Sequence, residues 1–452
     1  ADAATLYRRA LDASRGLGAS AGEVAAVWEA LGAAHARIGE LNEAHEAFRT
    51  ARRLQAGDTA REAQLLHAHA RVDLDAGRVA PAARWAIRAL RAADSDPDVT
   101  AMACRARVTS TLATIRQRQG RMPDAIDLCH RAIGQAEVAG EEAALANACY
   151  VLDWALVESG HPREAVHSPR ALEIYGRLGE INRLAAVLNN MGGFAYRDGR
   201  WRDAVDLYRR GAQASLRAGD VADAAFGDCN IGEVLADRGL LDEAQPLLRR
   251  ALRTWRGSGY HWGVAYATAI LGRAATRAGR HDEARELLAD AGARFRELRV
   301  LGDVDWVEAL HAEAEAFAGH AEAALTRADL ALAGLGDPGR LGALLHRARA
   351  FAFAQLGDLA AAEDALEASL AQARAQAEEY EVAVTLDALK ALSVLTGRPE
   401  PSQRAGERDA ILARLDVECL PDPPLSPSPS ASASAATAGR PDPAIRLAPS
   451  RR

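Results

Sequence analysis

The stretch WEALGAAHARIGELNEAHEAFRTA, residues 28–51, decides the fold of this chain. It contains two segments with apolar residues at helical spacing, and Gly39 separates them. Glycine takes the left-handed backbone conformation at little cost and therefore commonly ends a helix. In the second segment Ala44 and Phe48 lie four residues apart, which places them on one helical face. The stretch therefore predicts two helices joined by a tight turn.

The Gly39/Ala44 spacing recurs along the chain with a period close to 40 residues. The repeated pairs are Gly39/Ala44, Gly77/Ala82, Gly120/Ala125, Gly160/Ala165, Gly199/Ala204, Gly239/Ala244, Gly279/Ala284, Gly319/Ala324 and Gly357/Ala362. A second small residue also repeats, because Gly192, Gly232 and Gly272 are spaced 40 residues apart within predicted first helices. A fixed period of this size indicates a solenoid, in which hairpins of two helices stack on their neighbours and share one core.

The composition favours an all-α chain. Aromatic residues make up 5% of the 452 residues, and strand-forming residues are scarce. The formal net charge of -7 makes nucleic acid an unexpected partner. The five cysteines form no C-x-x-C pair, so we expect neither a zinc site nor a disulfide framework, and a reducing cytoplasm fits best. No apolar run approaches the ~20 residues that span a membrane, and no signal peptide opens the sequence.

The motifs of common enzymes are missing from the sequence. A phosphate-binding loop needs glycine before lysine, whereas the single lysine, Lys390, follows Leu389. No H-E-x-x-H pattern occurs. His67 and His69 are two residues apart, so on a helix they point to different sides and are poorly placed to share a metal. We therefore expect a non-catalytic chain with no cofactor and no metal.

The first stretch also carries the signature of a known repeat. The pattern W-x-x-L-G-x-x-H from Trp28 to His35, followed by Ala44 and Phe48, resembles the tetratricopeptide (TPR) pattern W-x2-L-G-x2-Y…A-x3-F, with histidine in place of tyrosine. The resemblance implies an all-α fold, a right-handed α-solenoid (superhelix) of about nine to ten TPR-like helix hairpins with a 40-residue period. Because the usual TPR period is about 34 residues, each helix is expected to gain most of a turn.

The sequence predicts four regions. Residues 1–20 resemble the second helix of a truncated repeat, residues 21–400 the TPR array and residues 401–418 a C-terminal capping helix. Residues 419–452 are rich in Pro, Ser and Ala and are predicted to be a disordered tail. A solenoid needs polar caps at its ends, and this sequence begins inside a repeat, without a cap or an initiator Met. We therefore expect a fragment of a longer protein.

In TPR arrays the first helices line a concave groove, and the register of the repeat places polar and aromatic side chains there. The predicted groove residues are Asn147, Tyr150, Trp154, Asn189, Asn190, Tyr196, Arg197, Phe226, Asn230, Glu233, Tyr266 and Arg273. Asn190 and Asn230 occupy the same position in successive repeats, and an asparagine amide can donate to and accept from an extended peptide backbone. They resemble the asparagine ladder of peptide-binding TPR proteins, so a protein or peptide is the expected ligand. The alternatives are that these asparagines cap or bridge neighbouring helices and that the aromatic residues belong to the core.

Pro169, within the sequence HSPR, falls inside a predicted second helix, four residues after Ala165. Proline inside a helix removes one hydrogen bond and clashes with the preceding turn. We expect a kink that leaves the Ala165 carbonyl unpaired and changes the local curvature of the solenoid. The alternative is that HSPR is a phosphorylation or docking motif.

The segment from Tyr150 to Trp201, which includes AVHSPRALEIY, resembles the C-terminal TPR region of large actinobacterial signalling proteins. In that family a class III adenylate/guanylate cyclase domain is followed by an AAA/STAND-type ATPase and then by helical repeats. The resemblance covers about residues 1–418. It implies a cytoplasmic sensor or regulatory arm that acts on the upstream ATPase and cyclase domains and contacts neither nucleic acid nor membrane directly.

The same resemblance places any catalysis outside this chain. The metal-binding aspartates of the cyclase and the phosphate loop of the ATPase have no matching positions here, so adenylate/guanylate cyclase or ATPase activity would belong to a parent protein. Similar TPR arms follow ATPase modules in LuxR-type and AfsR-type transcription regulators, which is one alternative. A stand-alone adaptor that assembles protein complexes is another.

Overall fold

The computed structural model describes residues 2–95, 99–161 and 164–426. Over those ranges the backbone forms 21 α-helices and no β-strand. After the first helix, the others follow one another as ten antiparallel-type hairpins at the spacing that the repeat predicts. The fold is therefore an α-solenoid, which confirms the fold class expected from the sequence.

Contacts between helices group the chain into two compact units, residues 1–190 (unit 1) and residues 191–452 (unit 2). The helices of unit 1 are α1 Asp2–Leu17, α2 Ala21–Arg37, α3 Leu41–Leu54, α4 Thr59–Asp75, α5 Val79–Asp94, α6 Val99–Arg118, α7 Met122–Ala139, α8 Glu142–Glu158 and α9 Ser168–Leu178. The next helix, α10 Ile181–Arg197, crosses the boundary. The helices of unit 2 are α11 Trp201–Arg217, α12 Val221–Asp237, α13 Leu241–Ser258, α14 His261–Arg277, α15 His281–Leu298, α16 Leu301–Phe317, α17 Ala321–Leu335, α18 Leu341–Gln355, α19 Leu359–Ala375, α20 Glu379–Leu395 and α21 Ser402–Leu415.

The repeated glycine ends the first helix of each hairpin in the left-handed conformation. Gly279 has φ of 70°, and its amide donates to the Thr276 carbonyl at 3.1 Å while the Arg280 amide donates to Ala275 at 2.9 Å. These bonds satisfy carbonyls that the helix end would otherwise leave unpaired. The tight turn predicted from the glycine spacing is thus formed.

The two helices of a hairpin meet where a glycine faces a bulky side chain sixteen residues later. A Cβ atom added to the glycine would lie 2.7 to 2.8 Å from that side chain, which is closer than real Cβ contacts allow. The glycine and facing residue are Gly32 and Phe48, Gly192 and Tyr208, Gly232 and Leu248, and Gly272 and Leu288. The 40-residue spacing of the small residue therefore reflects one packing contact that recurs in successive hairpins.

The alanine that follows each turn is fully buried in eight of the nine repeats. Those eight residues are Ala44, Ala82, Ala125, Ala204, Ala244, Ala284, Ala324 and Ala362. The exception is Ala165, which is only partly buried and lies just before the proline segment. The repeat is therefore interrupted at this hairpin.

Pro169 does not kink a helix, which corrects the expectation from the sequence. Helix α9 begins at Ser168, so the proline lies in the first turn, where its missing N–H has no intrahelical partner to lose. The carboxylate of Asp153, a fully buried residue of α8, accepts hydrogen bonds from the His167 amide at 2.9 Å and the Ser168 amide at 2.5 Å. Asp153 thus caps the start of α9 from a neighbouring helix, and because Ala165 precedes the helix its carbonyl is not an interrupted helical acceptor.

Burial also bears on the alternative for HSPR. Ser168 is 2% exposed, so a modifying enzyme would reach its hydroxyl only after local opening of this segment.

The predicted disordered tail starts too early in the sequence-based division. Residues 419–426 are described, and within them Leu425 is buried in the main core of unit 2 while the Pro424 carbonyl accepts a hydrogen bond from Gln355 at 2.7 Å. Prolines lose little backbone entropy on ordering, so a few anchors hold this stretch. The remainder of the predicted tail, residues 427–452, lies outside the described residues.

No helix in the described ranges is both long enough and apolar enough to cross a membrane.

We predict that Gly232→Ala destabilises unit 2 by about 1–3 kcal/mol, because the new methyl group overlaps Leu248. Gly257→Ala is the matched control: Gly257 lies in α13 of the same hairpin, is exposed and has nothing within 4 Å of its Cβ position, so the substitution should stabilise by up to about 1 kcal/mol. Urea unfolding measures both. If the two variants shifted stability in the same direction, the close glycine contact would not be what holds the hairpin together.

Candidate functional site

Three predicted groove residues line one cavity in unit 1. Asn147, Tyr150 and Trp154 lie on α8 and face a space of about 340 Å³ that Arg118 of α6 and Arg183 of α10 also border. The Tyr150 and Trp154 rings meet edge to face, with centroids 6.4 Å apart, and form an aromatic wall. The structure therefore brings these three residues together at an open surface formed by first helices.

Asn147 bridges two neighbouring helices. Its amide nitrogen donates to the hydroxyls of Ser110 at 2.8 Å and Thr114 at 3.0 Å, both on α6. Its amide oxygen accepts from Arg183 at 3.4 Å. With both amide hydrogens bound inside the protein, Asn147 positions α6 against α8 and has its oxygen side turned to the arginine.

The cavity continues into a second space of about 170 Å³, which shares Thr114, Arg118, Asn147, Tyr175 and Arg183 with the first. Two further arginines, at positions 71 and 107, border this second space, and its carboxylates are those at positions 75 and 180. Four arginines and two carboxylates line the joined cavity, which we call the unit 1 cavity. Because Arg107 also pairs with Glu141 at 3.0 Å, the excess is one positive charge.

His67 borders the unit 1 cavity but adds no charge to it. Its imidazole Nε2 lies 2.8 Å from the Thr111 hydroxyl at the edge of the cavity. Burial lowers the pKa of His67 to about 3, with further lowering from Arg71 and Arg107. The residue is therefore neutral at physiological pH, and the charge of the cavity comes from its arginines. His69, two residues on, contacts His45 instead at 2.6 Å, so the two histidines do point to different sides of the helix.

In unit 2 the predicted groove residues Tyr196, Glu233, Tyr266 and Arg273 belong to a buried polar network. Arg273 contacts the Glu233 carboxylate at 3.3 Å, and the Tyr266 hydroxyl donates to the same carboxylate at 2.9 Å. Arg273 also contacts Asp237 at 2.7 Å, and the Tyr196 hydroxyl donates to Asp237. Together with Asp237, these four side chains satisfy one another through hydrogen bonds and ion pairs.

Asp237 is the centre of this network and was not predicted from the sequence. Its carboxylate is fully buried and is contacted by Arg273, Arg277 and Tyr196. Burial alone would raise the pKa of the Asp237 carboxyl, but the two arginines and the tyrosine hydrogen bond together lower it below its ordinary value. For Glu233 burial dominates and raises the pKa, despite Arg273. Two carboxylates on one helix therefore differ in the sign of their shift.

The network continues along the later first helices with alternating charge. Arg347 of α18 is almost fully buried and contacts Glu313 of α16 at 3.3 Å and Glu381 of α20 at 2.6 Å. Burial raises the pKa of the Glu381 carboxyl, but Arg347 together with Arg273 and Arg277 lowers it below its ordinary value. Acids on α12, bases on α14, an acid on α16, a base on α18 and an acid on α20 therefore follow one another, and we call this series the charge belt.

The charge belt was not predicted, although the sequence carries a signal for it. Glu233 precedes Arg273, and Asp237 precedes Arg277, by the 40-residue period of the array. Opposite charges at equivalent positions of successive repeats are placed to pair, because stacked repeats bring equivalent positions together.

The remaining predicted groove residues are Asn189, Asn190, Arg197, Phe226 and Asn230, and the ring of Tyr266 makes further contacts. The Phe226 ring packs edge to face on Trp255 at 4.9 Å and the Tyr266 ring stacks on Trp262 at 5.0 Å, so these two belong to an aromatic core of unit 2. Asn189 and Asn190 close unit 1, whereas Arg197 and Asn230 are half-buried in unit 2. The Asn190 amide nitrogen is buried without a hydrogen-bond partner among the described residues. The asparagine ladder of Asn190 and Asn230 stays a prediction.

Among the residues that the structure describes, no three His, Cys, Asp or Glu side chains are grouped so that they could hold a metal ion. The five cysteines are free thiols, four of them buried and Cys419 exposed. What the described sites can do is bind and position other groups through arginines, hydroxyls and aromatic faces.

Comparison with known proteins agrees with this architecture. Residues 221–297, which contain α12 to most of α15, match the family model described as tetratricopeptide repeat. No curated protein matches the chain. The match and the repeated hairpins together support a TPR region and a protein-interaction scaffold.

Several solved structures are similar to this chain. A Rap protein complexed with competence and sporulation factor is 12% identical, with a TM-score of 0.46, over 70% of this chain and 97% of that one. Aspartyl phosphate phosphatase F from Bacillus subtilis is 13% identical, with a TM-score of 0.44, over 66% and 70%. BtubC from P. vanneervenii is 22% identical, with a TM-score of 0.40, over 49% and 91%. At these identities the likeness concerns the helical fold alone.

We predict that Asp237→Asn destabilises unit 2 at neutral pH by about 3–5 kcal/mol, because it removes the carboxylate that pairs with Arg277 and leaves Arg273 with Glu233 alone. Glu233→Gln should lower the stability of unit 2 by less than about 1–2 kcal/mol. It replaces an ionised carboxylate, which burial disfavours, with a neutral amide. Urea unfolding measures both variants.

The two variants should also differ in how their stability depends on pH, because the pKa shifts of Asp237 and Glu233 have opposite signs. The folded pKa of Asp237 is lowered, so its ionised form stabilises above the unfolded pKa, and that contribution is lost as pH falls through the folded value. The deficit of Asp237→Asn should therefore shrink in acid. The folded pKa of Glu233 is raised, so any relief in Glu233→Gln should be largest at neutral pH. Equal costs, or a larger cost for Glu233→Gln, would contradict the central position of Asp237.

Proposed function

We propose that this chain is a non-catalytic protein-interaction scaffold whose unit 1 cavity binds an extended segment of a partner protein that carries carboxylates. The observation that carries the proposal is the lining of the cavity, four arginines and two carboxylates beside an aromatic wall. The chain as a whole has a net charge of -7, so a positive cavity is a local departure from its overall charge.

The size and chemistry of the cavity support a peptide ligand. A volume of about 340 Å³ lies in the range of specific ligand pockets, which extends from about 300 to 1,000 Å³. A guanidinium can donate two parallel hydrogen bonds to one carboxylate, and the Tyr150 and Trp154 rings offer apolar contact to neighbouring residues of the ligand. Arg183 is exposed at the junction of the two spaces, which places its guanidinium within reach of a bound carboxylate.

We predict that Arg183→Ala weakens binding of a fluorescein-labelled (Gly-Glu)3 peptide about tenfold or more, because it removes a charged hydrogen-bond donor from the cavity. Arg84→Ala is the control, because this substitution removes the same charge from an exposed position of α5. Arg84 does not border the cavity. Fluorescence anisotropy measures both, with (Gly-Lys)3 as the peptide of opposite charge. Equal affinity for the two peptides, or an equal loss in Arg84→Ala, would exclude the unit 1 cavity as the site.

We further propose that the scaffold is a cytoplasmic sensor or regulatory arm of a multidomain adenylate/guanylate cyclase–ATPase, where it would contact the ATPase and cyclase domains of the same polypeptide. The resemblance of the segment from Tyr150 to Trp201 supports this proposal. The TPR arm of a LuxR-type or AfsR-type ATPase regulator and a stand-alone adaptor are the alternatives. Any cyclase activity, with ATP bound by the ATPase domain, would then belong to the parent protein.

An antibody raised against this chain should detect, in lysate of the source cells, a species far above the 48.0 kDa of the present sequence. Peptide sequencing of that species would identify the additional domains and separate the cyclase parent from a transcription regulator. A single species at 48.0 kDa would favour the stand-alone adaptor.

A further inference from the structure

The residues after the last helix follow an extended path across earlier hairpins of unit 2. The stretch DVECLPDPPL, residues 416–425, follows α21 without helical structure, and it contacts residues that precede it by 178 positions in the sequence. The segment spans the end of the predicted capping helix and the start of the predicted disordered tail.

Arg238, at the end of α12, holds the start of this segment. Its guanidinium donates to the Asp416 carboxylate at 2.7 Å and to the Asp416 carbonyl at 2.9 Å. Its own carbonyl accepts the Glu418 amide at 2.9 Å. One turn residue therefore recognises an acidic side chain and, two positions later, a backbone N–H, which together fix the register of an extended chain.

Gln355 and a core pocket hold the end of the segment. Gln355 of α18 is 2% exposed, and its amide nitrogen donates to the Pro424 carbonyl and to the Ala316 carbonyl, each at 2.7 Å. Leu425 is 5% exposed within the main core of unit 2. Prolines at 423 and 424 suit this site, because they bring no amide N–H that would need a partner and favour the extended conformation.

The fit is close enough to involve the backbone of the turn. A Cβ atom added to Gly239 would overlap the Cys419 carbonyl oxygen and lie 3.0 Å from the Cys419 amide nitrogen. The equivalent glycine one repeat later, Gly279, has nothing within 4 Å of its Cβ position. Both glycines have a left-handed φ, but only Gly239 is covered by residues of the C-terminal segment.

We propose that Arg238, Gly239, Gln355 and the Leu425 pocket form a second peptide-binding site, which residues 416–425 occupy as an intramolecular ligand. A partner segment of the same chemistry, extended, acidic at its start, proline-containing and ending in leucine, binds there by displacing the chain's own segment. The site extends the scaffold function to unit 2 and does not depend on the unit 1 cavity.

The intramolecular ligand sets a threshold for partners. A tethered segment has an effective concentration of the order of millimolar. A partner of equal intrinsic affinity therefore displaces it only when the partner is itself present at about that concentration. The apparent affinity for a partner is reduced by the fraction of molecules in which the site is open. Release of the segment, and not the intrinsic affinity alone, then controls binding.

Hydrogen exchange in the full chain tests whether the segment is held as described. Gly239→Ala should increase exchange of the Glu418 and Cys419 amides by about tenfold or more, because the methyl group expels the segment and the hydrogen bond to Arg238 is lost. Gly279→Ala places alanine at the same left-handed conformation without touching the segment, so exchange there should stay as in the unmodified chain. Equal exchange in the two variants would overturn the proposal.

A binding experiment tests whether the site accepts a ligand in trans. The receptor is the full chain with Glu418→Pro and Leu425→Asp, which disable its own segment, and the probe is a fluorescein-labelled peptide of residues 416–426 with Ser in place of Cys419. We expect the probe to bind this receptor about tenfold or more tightly than the unmodified chain. Adding Gly239→Ala or Gln355→Ala to the receptor should weaken binding, while adding Gly279→Ala should not.

Two results would overturn the proposal. One is probe affinity that is unchanged by Gly239→Ala, which would place the peptide elsewhere. The other concerns hydrogen exchange in the unmodified chain. If the amides of residues 416–426 exchanged only when all of unit 2 unfolds, the segment would be a permanent structural element. Circular dichroism of each variant confirms that the helices are retained. Because the probe is the chain's own peptide, this experiment can fail while the (Gly-Glu)3 experiment on unit 1 succeeds, and the reverse.

Discussion

In four of the ten hairpins that the structure describes, one glycine packs against one bulky side chain sixteen residues later, and this contact determines how closely the two helices approach. At Gly32, Gly192, Gly232 and Gly272 the absence of a side chain lets the two helices approach until Phe, Tyr or Leu fills the space. Interiors are packed as densely as organic crystals, so one added methyl group at such a point forces a rearrangement. Glu233 and Arg273, which begin the charge belt, lie on the first helices of two successive hairpins that repeat this contact 40 residues apart.

The features that depend on the repeat could be predicted from the sequence. The period, the hairpins and the turn glycines follow from residues whose partners lie within one repeat, and the structure confirms the α-solenoid. The start of α9 could not be predicted in this way, because Asp153 caps it from another helix and no local pattern shows that Pro169 begins a helix. Likewise, the proline-rich composition after Cys419 is typical of disorder, and only contacts with Arg238 and Gln355 show otherwise.

The predicted groove residues divide into two kinds of site, and the reason is electrostatic. In unit 1, Asn147, Tyr150 and Trp154 border a cavity whose arginines outnumber its carboxylates. In unit 2, the predicted Tyr196, Glu233 and Arg273 meet Asp237, and charges of both signs neutralise one another in the interior. The register of the repeat places residues on the first helices in both cases. The register does not show whether the neighbouring first helix supplies a side chain of opposite charge. To predict that, the charges at equivalent positions of the next repeat must be compared as well.

The charge belt restricts how this array can change length during evolution. Repeat proteins commonly grow and shrink by recombination between similar repeats, which adds or removes one hairpin. In the belt, the first helices from α12 to α20 carry acid, base, acid, base and acid in turn. Loss of a single hairpin from this region would bring two helices of like charge together in a buried setting, where two carboxylates cannot both stay ionised without large cost. Loss or gain of two hairpins preserves the alternation. Homologous arrays that retain this belt should therefore differ from one another by even numbers of hairpins within it.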